Sequence, residues 1–136
     1  MLGWKATDSG ARLVASHDGY ARVGVIHQRS WELQGNTLTI METLQGKGDH
    51  RVMLCFHLAP ECRVDRISES IFMITHADVR TRLSLPDNME TALIRGGEDA
   101  GWYSPVFGVK QATFSILARR QGPVPASFKT VLEVNP

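Results

Sequence analysis

A chain of 136 residues that is 43% hydrophobic makes one domain, or a large piece of one, with a core that needs no disulfide or metal to hold it. Fifteen Lys and Arg against fourteen Asp and Glu leave a net charge of +1. That balance excludes the strong global field of a nucleic-acid binder, although a local basic cluster can still meet an anion. No apolar run approaches the roughly 20 residues of a membrane span, and Met1 to Lys5 do not have the layout of a signal peptide.

Residues 1–10 read as a lead-in segment, followed by a short strand candidate at Leu13-Val14-Ala15. A polar turn, Ser16-His17-Asp18-Gly19, precedes a run from Ala21 to Leu33 whose odd positions are Ala, Val, Val, His, Arg, Trp and Leu. That period of two predicts a strand. Its apolar first half gives way on the same face to His27, Arg29 and Trp31. Gln34-Gly35-Asn36 marks a turn. Thr37 to Leu44 alternates again, with Leu38, Ile40 and Leu44 on one face, so the two runs predict a β-hairpin.

Gln45 to His50 reads as a second turn, before a strand from Arg51 to Leu58 with Val52, Leu54, Phe56 and Leu58 on one side. Pro60 stops it, because proline cannot donate to a ladder. Short or buried strands are expected around Val64 to Ile67, Ile71 to His76, Val79 to Leu85 and Met89 to Ile94. Trp102 to Val109 reads as irregular or an edge. Ala112 to Arg120 and Ser127 to Val134 form the last two strands, joined by Gly122-Pro123-Val124-Pro125. No segment sustains a helical period. Eight to ten strands at roughly ten-residue intervals predict an all-β antiparallel sandwich. The expected core is Val23, Val25, Leu38, Ile40, Val52, Leu54, Phe56, Ile116, Leu132 and Val134.

Two groups of residues carry candidate chemistry. His17 beside Asp18 fits a shared metal or a carboxylate-oriented imidazole. The reading the residues favour is a plain turn in which Asp bonds its own backbone. His27, Arg29 and Trp31 project to one side of a strand. There they offer a proton-carrying ring, a planar fork for carboxylate or sulfate, and a flat apolar platform. The competing reading is a solvated sheet face with Trp31 packed beneath a loop. His57 reads as a packed, hydrogen-bonded ring. Cys55 and Cys62 read as buried free thiols, with a disulfide between them the alternative that only their distance in the fold decides, and the compartment, periplasm or cytoplasm, stays open. No phosphate loop, dinucleotide fingerprint or zinc spacing motif is present.

The order of His17-Asp18-Gly19-Tyr20, His27-Gln28-Arg29, Leu38-Thr39-Ile40 and Phe56-His57-Leu58-Ala59-Pro60 resembles the C-terminal β region of heparinase II/III-like proteins. Trp102 to Gly108 and Phe128-Lys129-Thr130 resemble its closing strands. Family members usually have His-Arg-Arg where this chain has His27-Gln28-Arg29, and often Asp in place of Glu42. The resemblance implies the C-terminal β-sandwich of a polysaccharide lyase that acts on uronic-acid polymers by β-elimination. Its partners would be an anionic polysaccharide and an N-terminal helical toroid, which with an upstream His-Asn segment carries the catalytic groups. This chain, residues 1–136, would then be a single sandwich domain with no turnover of its own. Its substrate-binding residues would be His27, Arg29 and Trp31. The resemblance also implies a structural zinc in some members, with His17 at one ligand position and its partner ligands upstream of the motif. A stand-alone carbohydrate-binding module using Trp31, Trp102 and Tyr103, or a plain assembly domain, are the competing functions.

Overall fold

A computed structural model describes residues 3–136; Met1 and Leu2 of the expected lead-in lie outside the described residues. Eleven strands follow one another: β1 (Gly3–Thr7), β2 (Gly10–His17), β3 (Val25–Gln34), β4 (Thr37–His57), β5 (Arg63–Arg66), β6 (Ile71–His76), β7 (Val79–Ser84), β8 (Glu90–Arg95), β9 (Trp102–Tyr103), β10 (Gln111–Ala112) and β11 (Phe114–Val134). A 3-10 turn, Ala21–Val23, lies between β2 and β3. The main sheet runs β1-β2-β3-β4-β11-β7-β6-β5, with β8 also pairing β11, and β9 and β10 form a separate small ribbon. Each pairing is antiparallel, as the expected all-β class requires.

The architecture turns on β4 and β11. Both are 21 residues long, and they pair with each other from Thr37 opposite Glu133 to His57 opposite Ser115. The sequence divides each of them into two strands. In the structure the supposed turn, Gln45 to His50, and the Gly122–Pro125 joint lie opposite each other and carry the ribbon through. Pro125 stands in a bulge between Val124, opposite Gly48, and Ala126, opposite Leu44. A proline has no N–H to give to a ladder, so a bulge is where a strand can hold one. Gly46 and Gly48 supply positive φ on the partner strand. Turn-forming residues on both members of a pair therefore make a shared irregularity instead of two ends.

One half of the ribbon continues the sheet through β3, β2 and β1 on one side and β7, β6 and β5 on the other. The second half carries β8. The core collects Val25, Leu44, Phe72, Leu83 and Phe128 with Leu54, Ile116, Ala118 and Val124, giving a sandwich-like arrangement.

The expected core needs two corrections. Val23 is 52% exposed, because the chain from Ala21 turns once in a 3-10 helix and β3 begins only at Val25. Val134 is 37% exposed at the end of β11. The remaining expected residues are buried or half-buried. The lead-in is itself a strand, since Asp8 and Ser9 make a tight turn between β1 and β2. Cys55 and Cys62 are both free, but neither is buried, and Cys55 is exposed.

Candidate functional site

Three adjacent strands build the site by register. His17 on β2 lies directly opposite His27 on β3. Two residues along β3, Arg29 lies opposite Glu42 of β4, and two further, Trp31 lies opposite Ile40. Residues directly opposite across an antiparallel pair share a face. His17, His27, Arg29, Trp31 and Glu42 therefore project together.

The side chains form one connected line. The Gly19 N–H donates to His17 Nδ1 at 3.1 Å, which leaves the ring proton of neutral His17 on Nε2. His17 Nε2 lies 3.0 Å from His27 Nδ1, so the His17 N–H donates and His27 Nδ1 accepts. His27 Nε2–H then donates to Glu42 Oε2 at 2.6 Å. The direction of each bond follows from the first, since a neutral imidazole has one donor and one acceptor. At the far end Arg29 Nε lies 2.6 Å from Glu42 Oε1 as an ion pair, although its N–H is not aimed at that oxygen.

Glu42 is only 3% exposed, and a buried carboxylate needs partners of this kind. The Arg29 guanidinium stays partly in solvent and sits 5.6 Å from the centre of the Trp31 ring, within reach of a cation–π contact. Tyr20 leans on the two imidazoles, with ring centres 5.3 Å from His17 and 6.5 Å from His27.

This line borders two hollows. One, of about 350 Å³, is lined by Ala15, His17, Tyr20, His27, Arg29 and Trp31. The other, of about 400 Å³, shares Tyr20, His27 and Arg29 and adds Glu42, Arg51 and Phe128 among its walls. All four residues expected at a site thus meet at one hollow. Trp102 and Tyr103 line a different one, and Lys110 Nζ sits 3.9 Å from the centre of the Trp102 ring, so they do not extend the Trp31 platform.

Sequence reasoning missed three members. Glu42 interrupts the apolar face Leu38, Ile40, Leu44, and one acid at a core-facing position is a signal of a buried partner. Tyr20 stands in the sequence only as part of the motif that carries the resemblance, and Arg51 only as the start of a strand. The His17 turn also differs from expectation: the imidazole, not the Asp18 carboxylate, bonds the Gly19 N–H. His57 is hydrogen-bonded as expected, Nδ1 to Ser115 Oγ at 2.7 Å, but its ring is exposed.

The residues present do not by themselves make the zinc site implied by the resemblance, whose other ligands would lie upstream. Both nitrogens of His17 are engaged, and no group of three His, Cys, Asp or Glu among the described residues converges to hold a metal.

The fold is an antiparallel β-sandwich that carries an imidazole–carboxylate–guanidinium line beside an open hollow. Residues 3–131 match the heparinase II/III-like C-terminal family, and the chain belongs to that family. Its fold is that of solved heparinases. The heparan sulfate lyase HepC of Pedobacter heparinus aligns with a TM-score of 0.78 at 12% identity, over 98% of this chain and 21% of that one. A heparinase III gene product aligns at 0.76 and 15%, over 98% and 21%. The chain therefore spans about a fifth of the length of these proteins. No curated protein matches it.

Proposed function

We propose that residues 1–136 form a single domain that serves as the C-terminal sandwich of a heparinase II/III-like polysaccharide lyase. It supplies one wall of a cleft for an anionic, uronate-containing polysaccharide and has no turnover alone. The other wall would be an N-terminal helical toroid.

The observation that carries this reading is the convergence of Arg29 and Trp31 on the hollow lined by His17 and His27. Arg29 offers charge-assisted hydrogen bonds to a carboxylate or sulfate. Trp31 offers an apolar ring face beside it. The Glu42 contact lies at Nε of Arg29, and no bond to its terminal nitrogens is formed among the described residues, which leaves the outer fork available to a ligand.

The same geometry supports the inactivity of the isolated chain. β-Elimination needs a base for the proton α to the uronate carboxylate and an acid for the leaving oxygen. Both nitrogens of His27 are committed, one to His17 and one to Glu42. His27 is therefore placed to orient, not to take a proton from a sugar.

The test is retention on immobilised heparan sulfate together with a turnover assay. The chain should be weakly and salt-sensitively retained, Arg29→Ala should elute earlier, and no unsaturated uronide should accumulate. Retention unchanged by Arg29→Ala overturns the binding role. Product formation that is lost in His27→Ala overturns the inactivity.

A further inference from the structure

Trp4 belongs to none of the groups described above. It lies on β1, the edge strand of the main sheet, and is 69% exposed. Register places it in a specific line. Trp4 is opposite Leu13, and Leu13 is opposite Trp31. Partners directly opposite share a face, so the three side chains form one row across β1, β2 and β3. At about 4.8 Å per strand, the two tryptophan positions are separated by about 10 Å.

The surroundings of the row are asymmetric. On one side the next row holds Ala15 opposite Arg29, which puts a partly exposed guanidinium next to Trp31, while its counter-charge Glu42, opposite it on β4, is buried. On the other side Ala6 is opposite Ala11, and Ala11 is opposite Leu33. Alanine side chains leave that flank low, and only Leu13 stands between the two rings. The result is a shallow track with an aromatic face at each end and a guanidinium beside one of them.

We infer that Trp4 is a second platform for a pyranose chain that crosses the strands from Trp31 to Trp4. This rests on the reading of Arg29 and Trp31 as saccharide-binding. A pyranose ring presents a flat C–H face that packs on an indole, while its hydroxyls stay in water at the ring edge. One ring stacks on Trp31 with its carboxylate or sulfate at Arg29, and a ring about a disaccharide further on stacks on Trp4. A protein segment laid on this face would bury Leu33 and Ala6 as well. The charge beside Trp31 favours an anionic sugar, which touches the tryptophan row alone.

Ligand length separates the two platforms. The full chain is titrated with a disaccharide and a tetrasaccharide of alternating glucuronate and N-acetylglucosamine, following amide shifts. Trp4 is exposed and on an edge, so Trp4→Ala should keep the fold, which circular dichroism checks. The expected result is that Trp4→Ala weakens tetrasaccharide binding by about three- to tenfold and leaves disaccharide binding unchanged. Leu33→Ser, on the low flank, should change neither. Equal tetrasaccharide affinity in Trp4→Ala and the unaltered chain overturns the inference while leaving the Arg29–Trp31 reading in place. If the unaltered chain binds neither sugar, the underlying reading fails first. A dimer in sedimentation that Trp4→Ala abolishes, with sugar binding unaffected, overturns the inference in favour of a face that pairs two copies.

Discussion

Arg29 and Glu42 face each other across β3 and β4, and one buried carboxylate joins the guanidinium at 2.6 Å to the His27 ring at 2.6 Å. Glu42 ties together two of the groups that line the hollow. Removing it leaves Arg29 without its counter-charge and His27 Nε2–H without an acceptor. Arg29 can turn to solvent, so the cost is smaller than for a fully buried pair. Glu42→Ala should destabilise the fold by about 1–3 kcal/mol. Glu42→Gln, which still offers an oxygen to His27, should cost less. Urea unfolding measures both, and equal stability of Glu42→Ala and the unaltered chain contradicts the role.

The hydrogen-bond line fixes ring tautomers. With Gly19 N–H donating to His17 Nδ1, both neutral imidazoles must carry their proton on Nε2. Nitrogen-15 NMR of the side chains at neutral pH should show that form for His17 and His27. A His17 ring protonated on Nδ1 would mean that the line runs the other way or does not form.

Thr130 is buried and its hydroxyl has no hydrogen-bond partner. Replacing an unsatisfied buried hydroxyl by a methyl removes a desolvation cost without opening a cavity. Thr130→Val should raise stability by up to about 1 kcal/mol. A clear loss in urea unfolding would show that the hydroxyl is bonded.

Gly46 tests the bend of the long ribbon. A Cβ built on it would lie 2.2 Å from the Gly24 carbonyl oxygen, and its φ is +148°. Backbone cannot yield as a side-chain tip can. Gly46→Ala should therefore cost more than about 1 kcal/mol, whereas Val23→Ala, at an exposed position, should change stability by less than about 0.5 kcal/mol. Similar effects of the two substitutions would place the bend elsewhere.

Partial burial raises the Cys55 thiol above its ordinary pKa. The folded state then holds its proton more firmly than the unfolded chain does. Any stability it contributes is present below the unfolded pKa and lost as pH rises through the folded one. Since the thiolate is the reactive form, iodoacetamide should modify Cys55 in the native chain with a pH midpoint above that of the unfolded chain. A lower midpoint would contradict the assignment.

Alternation made β3 and the outer reach of β4 legible, since one apolar face per strand is what a half-buried sheet needs. It carried His27, Arg29 and Trp31 to a common side correctly, because a period of two leaves no other choice. It could not show that Gln45–His50 and Gly122–Pro125 lie opposite each other, as local turn chemistry ends a strand unless a distant partner shares the irregularity. The same limit hid β1: five exposed residues carry no burial pattern, and only pairing with β2 makes them a strand. Glu42 could have been read as a site residue from its place among Leu38, Ile40 and Leu44. The His17–His27 contact could not, because it depends on the register between β2 and β3.

The most direct test of the cleft-wall account is a titration of the chain with uronate oligosaccharides, followed by backbone and side-chain amide shifts. The account predicts weak, salt-sensitive binding, on the order of millimolar, with shifts concentrated at His17, His27, Arg29 and Trp31 and lost in Arg29→Ala. Shifts confined to β5, β6 and β8, or none at high ligand, would contradict it and leave these residues as a solvated sheet face.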